Sequence, residues 1–266
     1  MLMAVYDGDD EEKLCKCLLS IQHELRYLHS VVIVCDGEIN DKKQKLIDLC
    51  IPKTHLNLLR LKKNSGLISA LNFGLANIDA DIVARLDSDD CMIPNRIVEQ
   101  YTYMQEHKLD ICSGHIKEVG GFYETETFRK VPVSQDDILS MLKFRSPFNH
   151  MAVMFDLSKI KKLRGYPNIF NNEDYALWLK AAKAGLKLGN MDKTLVIADV
   201  PGSFSQRRLG WQRASSEFAL AKFRRNLKLF PMWVDYLALI LRLTFRLMPS
   251  SWAKSVYRTL RSRRCE

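Results

Sequence analysis

Two carboxylates one residue apart, Asp87 and Asp89, with Asp90 directly after them, close the apolar run Ile82-Val-Ala84 and Leu86. Carboxylates a few ångströms apart repel each other unless a proton or a cation sits between them. An oxygen-only pair suits a hard ion such as Mg2+ or Mn2+, which keeps positions open for water and for phosphate oxygens. Side chains alternate with a period of two along an extended chain, which predicts Asp87 and Asp89 on one side of the strand end. The competing reading is an acidic turn ahead of the helix that begins in Pro94-Asn-Arg-Ile-Val-Glu-Gln. A second acidic pair, Glu173-Asp174, opens a helical stretch that ends at Gly185. On its own that pair reads as charge complementarity at a helix start.

The elements that must position these groups follow from the periodicity. Met1–Tyr6 reads as a short apolar strand, followed by the turn Asp7-Gly-Asp-Asp10. Leu14, Leu18, Ile21, Leu25 and Leu28 recur at helical spacing and predict a helix over 11–28. Val31–Val34 is a second strand that ends in Cys35-Asp36-Gly37, with a helix over 42–50 and a third strand at Leu56–Leu61. Asn64-Ser-Gly66 then leads into a short helix. This strand–helix alternation predicts an α/β fold around a doubly wound, mostly parallel sheet. Ligands of such sheets bind beyond the carboxyl ends of the strands, so Asp7, Asp36 and Asp87 should line one rim. Further on, helices over 95–107 and 136–144, strands at 110–119, 151–155 and 195–198, and a helix from Glu173 complete the pattern.

Composition narrows the classes. The chain has 266 residues, 47% hydrophobic and 27% charged, enough for a globular core. Seven scattered cysteines show no metal-ligand spacing and, with no secretory leader, imply a reducing cytosol. The formal charge of +9 is carried at one end. Residues 207–266 hold 14 basic against three acidic side chains, whereas residues 1–206 hold 26 against 28. From Trp211 the pattern is helical, with breaks predicted at Pro231 and Pro249. Residues 230–248 are strongly apolar, yet Asp235, Arg242 and Arg246 argue against a membrane span. Trp233, Tyr236, Trp252 and Tyr257 among arginines suit a helix lying in the headgroup region of an anionic membrane surface. The terminal Lys254, Arg258, Arg261, Arg263 and Arg264 would add about 1 kcal/mol each. The competing reading is a helical pair packed on the core with a solvated basic tail. A nucleic-acid partner is disfavoured, since no recognition motif accompanies the charge.

Five blocks in order resemble family 2 glycosyltransferases: Tyr6 after the first strand, Val32-Ile-Val-Cys-Asp36-Gly, Asn64-x-Gly66-x3-Ala70-Leu-Asn72-x-Gly74, Ala84-Arg-Leu-Asp87-Ser-Asp-Asp90 and Glu173-Asp174. The resemblance covers about residues 2–200 and implies a GT-A fold, with a catalytic domain at 1–206 and a basic amphipathic helical segment at 207–266. The block Arg145–Phe155, with Gly165-Tyr and Glu173–Trp178, is similar to bacterial members that build O-antigen or exopolysaccharide repeat units. By that resemblance Asp36 holds a uracil ring, and Tyr6, Asn64 and Gly66 line the nucleotide site. Asp87 and Asp89 reach the ribose and, through Mn2+ or Mg2+, the diphosphate; Asp174 is the base, supported by Glu173. Arg207 and Arg208 resemble a basic pair that contacts diphosphate. The implied reaction is inverting transfer of one hexose, best matched by UDP-galactose, to a polyprenyl-diphosphate-linked sugar. Its expected place is the cytoplasmic face of the bacterial inner membrane, as a peripheral protein.

Departures and rivals bound this expectation. The first strand is short at its amino end, which bears on the sheet edge and the nucleotide pocket. Gln206-Arg-Arg-Leu-Gly-Trp211 has the wrong spacing for the Gln-x-x-Arg-Trp motif of processive members, so single-sugar transfer is expected. Arg85 reads equally as an ion-pair partner of the acidic cluster or as a substrate contact, and His150 more readily as a structural hydrogen bonder. A sugar nucleotidyltransferase would need a Gly-rich, Arg-bearing loop after the first strand. A dinucleotide oxidoreductase would need G-x-G-x-x-G there. A haloacid-type phosphatase is disfavoured by Met92. An inactive relative serving as a membrane-bound assembly module is the non-enzyme rival.

Overall fold

The computed structural model describes residues 1–120, 126–200 and 209–259. Strands β1 (Leu2–Val5), β2 (Val31–Cys35) and β3 (Leu56–Arg60) pair in parallel, β2 at the centre. Beside β1 runs β4 (Ile82–Ala84), joined by a parallel bridge between Leu2 and Arg85. The sheet continues through β8 (Met154–Asp156), β6 (Ile111–Val119), β9 (Leu188–Asp199) and β5 (Cys91–Met92). Here β6 and β9 are parallel, whereas β8, β5 and the short β7 (Thr127–Arg129) run antiparallel to their neighbours.

Alternation along the first strands builds two cores. Leu2, Val32 and Val34 face one layer with Ala70, Leu71 and Leu75 of α3 (Leu67–Asn77). Met3, Val5, Val31 and Ile33 face the other, against α1 (Glu11–Gln22) and α2 (Asp41–Cys50). A side chain at Gly74 would put its Cβ 2.4 Å from Leu2 Cδ1, so that glycine of the motif is what lets α3 lie flat on the sheet. The remaining helices are α4 (Arg96–Glu106), α5 (Gln135–Met141), α6 (Leu157–Lys162) and α7 (Glu173–Lys183), then α8 (Trp211–Leu227), α9 (Met232–Leu247) and α10 (Ser250–Thr259). Pro231 precedes α9 and Pro249 precedes α10, as the breaks required.

Several boundaries differ from the periodic pattern: the strand expected at 151–155 begins only at Met154, after a 3-10 turn at His150–Ala152, and the helix expected over 136–144 ends at Met141. The first helix stops at Gln22 instead of reaching residue 28, because Glu24 turns inward. Its carboxylate accepts the Asn95 and Ile97 amides at 2.7 and 3.2 Å and so caps α4. The last strand begins at Leu188, not Leu195; exposed Asp192 and Lys193 hide the alternation where the pairing with β6 shifts register. Helices α8 and α9 lie on the α3 and α7 side, where Leu220, Phe223, Leu227 and Phe230 join the first core.

Candidate active site

Asp7, Asp36 and Asp87 each sit just past the carboxyl end of a strand, β1, β2 and β4, on one rim. Tyr6, half exposed, follows β1 and lies beside Asp36, whose amide bonds to the Val5 carbonyl at 2.8 Å. Asp7 follows on the same rim and accepts from the Asn40 amide at 3.1 Å. The buried Asp36 carboxylate accepts from the amides of Ser65 at 2.7 Å and Gly66 at 2.8 Å. It therefore holds the loop bearing Asn64 and Gly66 over the rim, and each oxygen keeps a second lone pair for a ligand. Gly66 has φ +87°, a left-handed conformation that favours glycine just before α3.

Asp87 and Asp89 are brought together by a turn. The Asp90 amide reaches back to the Asp87 carbonyl at 3.3 Å, so the pairing does not come from extended-chain alternation. Asp87 is half-buried and ion-paired with the fully buried Arg85. Asp89 reaches solvent, but lost solvation and the Asp87 charge push its carboxyl up to about 6. Burial, then Asp87 and Asp89, drive buried Asp90 well above the carboxylate range; its Oδ1 accepts from the Asp199 amide at 3.3 Å. Asp90 thus braces the turn against β9. Asp9 joins the cluster, accepting from Tyr6 N at 3.0 Å and Ser88 Oγ at 2.9 Å, and is raised chiefly by burial.

The second acidic pair opens α7. Burial first, then Asp174, pushes Glu173 up to about 7. Arg85 is ion-paired to Asp87, and its charge is also felt at Glu173. Desolvation opposes its charge, yet Asp87, Tyr166 and Asp90 hold it protonated, and it in turn favours ionised Glu173. Asn72 fixes Tyr166 reciprocally, accepting its amide at 2.8 Å and donating to its carbonyl at 2.9 Å. The Tyr166 hydroxyl lies 2.9 Å from His150 Nε2. His150 is a half-buried structural partner, its imidazole shifted toward the neutral form by desolvation and by Arg85. Arg207 and Arg208 lie outside the described residues.

The donor set suits a divalent cation. Asp87 and Asp89 offer oxygen only, their charges crowd, and a metal would relieve the repulsion that raises Asp89. No group of three or more His, Cys, Asp or Glu side chains converges into a metal cage among the described residues. A metal held here would therefore complete its shell with water and substrate phosphate, the usual habit of Mg2+.

The profile of Glycosyl transferase family 2 matches residues 1–158. The chain belongs to that family. It is a glycosyltransferase, and its donor is a nucleotide sugar. A family member from Escherichia coli, UDP-Gal:alpha-D-GlcNAc-diphosphoundecaprenol beta-1,3-galactosyltransferase, is 33% identical over 261 residues, covering 97% of this chain and 94% of its own. The amylovoran biosynthesis glycosyltransferase AmsE of Erwinia amylovora is 29% identical over 257 residues, 97% of each chain. Among solved structures, S. aureus TarS 1–349 in complex with UDP-GlcNAc superposes with a TM-score of 0.65 at 18% identity, over 91% of this chain and 70% of that one. Mannosyltransferase PcManGT from Pyrobaculum calidifontis, in complex with GDP-Man and Mn2+, gives 0.58 at 14%, over 97% and 79%. These likenesses place the chain in the GT-A fold, with the helical C-terminal segment that the pattern predicted.

Proposed function

We propose that this glycosyltransferase moves a single hexose, galactose from UDP-galactose, with inversion onto a polyprenyl-diphosphate-linked sugar in bacterial O-antigen or exopolysaccharide synthesis. The observation that carries the reaction is the linked arrangement at the strand ends. The Asp87–Asp89 turn is ion-paired to the buried guanidinium of Arg85, whose charge also acts on Glu173 at the start of α7. The donor and acceptor identities draw on the specificity for which the E. coli relative is named.

In this reading Tyr6, Asp36, Asn64 and Gly66 receive the uridine, and Asp87 and Asp89 take the ribose and the Mn2+ or Mg2+ that accompanies the diphosphate. The ion would supply positive charge to the leaving diphosphate. Asp174 accepts the acceptor hydroxyl proton while that oxygen forms its bond to the anomeric carbon, and the anomeric carbon–phosphate oxygen bond breaks. One displacement inverts the centre, so an α-linked donor gives a β-linked product. Glu173 holds negative charge beside the base, and Arg85 keeps Asp87 in place on the other side. Arg207 and Arg208 are proposed diphosphate contacts from their sequence position. The enzyme works as a peripheral protein on the cytoplasmic membrane face, where its acceptor is anchored; no helix among the described residues is long and apolar enough to cross a membrane.

The test is a panel of nucleotide sugars with a synthetic lipid-diphosphate-linked acceptor, run with Mn2+ and then with chelator. UDP-galactose should give a β-linked product and chelator should abolish it. Full turnover in chelator, or an α-linked product, overturns the reading.

A further inference from the structure

Helix α9 is built inside out. Met232, Trp233, Leu237, Ile240, Leu241 and Leu247 form its outward half, with Trp233 66%, Ile240 59% and Leu241 51% exposed. Its charged residues face the protein instead. Buried Asp235 pairs with Arg224 of α8 at 2.8 Å. Glu217 of α8, 1% exposed, accepts from Arg242 at 2.5 Å and from Arg246 at 2.8 Å. Drawing charges out of water costs several kcal/mol per ion, and leaving apolar side chains in water adds to that cost. The arrangement is economical only where the outer medium is not water. On α10 Trp252, 69% exposed, and Val256 extend the apolar surface.

At the edge of this face a cleft of about 640 Å3 opens between α8 and α9. Phe218, Leu239 and Asp235, the last held by Arg224, line it, and Lys222, Arg225 and Lys228 rim it beside Tyr236. None of these three cations forms an ion pair among the described residues; Arg225 stacks 5.8 Å from the Tyr236 ring. Tyrosine and tryptophan beside cations, next to an apolar face, match the chemistry of the bilayer interface.

We propose that the outward half of α9, continued by α10, inserts into the headgroup–acyl boundary of an anionic phospholipid bilayer, with a headgroup phosphate in the cleft rimmed by Lys222, Arg225 and Lys228. This rests on the membrane-surface reading above and gives it a defined face and depth. A second copy is the poorer occupant, because residues 207–266 hold 14 basic against three acidic side chains and two such segments repel. An anionic surface gains about 1 kcal/mol for each basic side chain brought near it.

The test uses the full chain with vesicles of phosphatidylcholine alone or mixed with phosphatidylglycerol, read by co-sedimentation and by tryptophan quenching from brominated acyl chains. Wild type should bind the mixed vesicles at least about tenfold more tightly than neutral ones and be quenched. The variant Trp233→Ser/Ile240→Ser/Leu241→Ser should lose binding by more than about tenfold. Lys222→Glu/Arg225→Glu/Lys228→Glu should lose the preference for phosphatidylglycerol. Both variants should transfer sugar to a water-soluble acceptor within about twofold of wild type, since neither set touches the strand-end site. Wild type that ignores mixed vesicles, or a serine variant that binds them unchanged, overturns the proposal. So does a wild-type dimer that the serine variant dissociates without any vesicle binding. Failure of wild type to transfer sugar to the soluble acceptor would instead strike the proposed reaction and leave the vesicle result standing.

Discussion

Removing the Glu217 carboxylate should unseat the C-terminal helices and disturb the start of α7 at the same time. Among the described residues its two oxygens accept from Arg242 Nε at 2.5 Å, Arg242 Nη2 at 3.1 Å and Arg246 Nε at 2.8 Å. Glu217→Ala deletes the acid that these bonds reach and leaves two guanidiniums largely shielded, at 15% and 14% exposed. Breaking one side of a buried pair costs about 3–5 kcal/mol. The low end applies here, about 3 kcal/mol, because both arginines reach some water and Arg242 keeps its 2.5 Å bond to Asn172 Oδ1. If the chain unfolds as one unit, that is a fall of about 6–12 °C in Tm.

Urea titration with hydrogen exchange separates the possible routes. Exchange should rise first in α8 and α9, then in the opening turn of α7, since Asn172 directly precedes Glu173 and also donates to Ser216 Oγ at 3.3 Å. The triple substitution Glu217→Met/Arg242→Leu/Arg246→Leu removes the charges together and should recover to within about 1 kcal/mol of wild type. A Glu217→Ala protein within about 1 kcal/mol of wild type, with unchanged exchange in α9, would refute the claim that this cage seats the helix.

Four further outcomes bear on the site. Asp174→Asn should lower kcat by about 10²–10⁴-fold with donor KM nearly unchanged, in a steady-state assay. With Glu173 raised to about 7, activity should decline as pH falls through about 7, and Glu173→Gln should flatten that limb. The same shift has a stability sign: an acid whose folded pKa exceeds its unfolded one stabilises the protonated fold and loses that contribution as pH rises from about 4.5 to about 7. Glu173→Gln should therefore melt higher than wild type at pH 8 and level with it near pH 4. Asp89→Asn should weaken Mn2+-dependent UDP binding in calorimetry more than Asp87→Asn does, because Arg85 already engages one Asp87 oxygen; equal losses would sink that ranking.

Much of the site could be read from the sequence because its groups sit beside features that announce themselves. Asp36 and Asp87 each end an apolar strand, and parallel strands carry their carboxyl ends to one rim. What stayed hidden depends on partners distant along the chain. Ser88 meets Asp9 across 79 residues, Tyr166 meets Asn72 across 94, and Asp90 meets Asp199 across 109. Asn72 and Tyr166 both lie in blocks that the family resemblance marks, yet only the fold shows that each fixes the other. Arg85 was ambiguous for a similar reason, since its neighbour Asp87 is local but Tyr166 and Glu173 are not.

The C-terminal helices show a different limit, one of direction. Asp235, Arg242 and Arg246 in an apolar stretch exclude an ordinary membrane span, and a water-facing amphipathic helix would turn those three outward. In α9 the same spacing is satisfied with the three turned inward, because Glu217 and Arg224 of α8 supply opposite charges at the matching heights. A helical pattern gives the angle between polar and apolar residues but not which side meets the protein. That choice is made by the neighbour. Here α8 carries complementary charges, so the polar half of α9 is consumed in docking and its apolar half is left facing outward. The same contact ties Arg242 to Asn172 and hence to the first turn of α7. The contact that seats α9 therefore also reaches the residue just before Glu173-Asp174, the proposed catalytic pair.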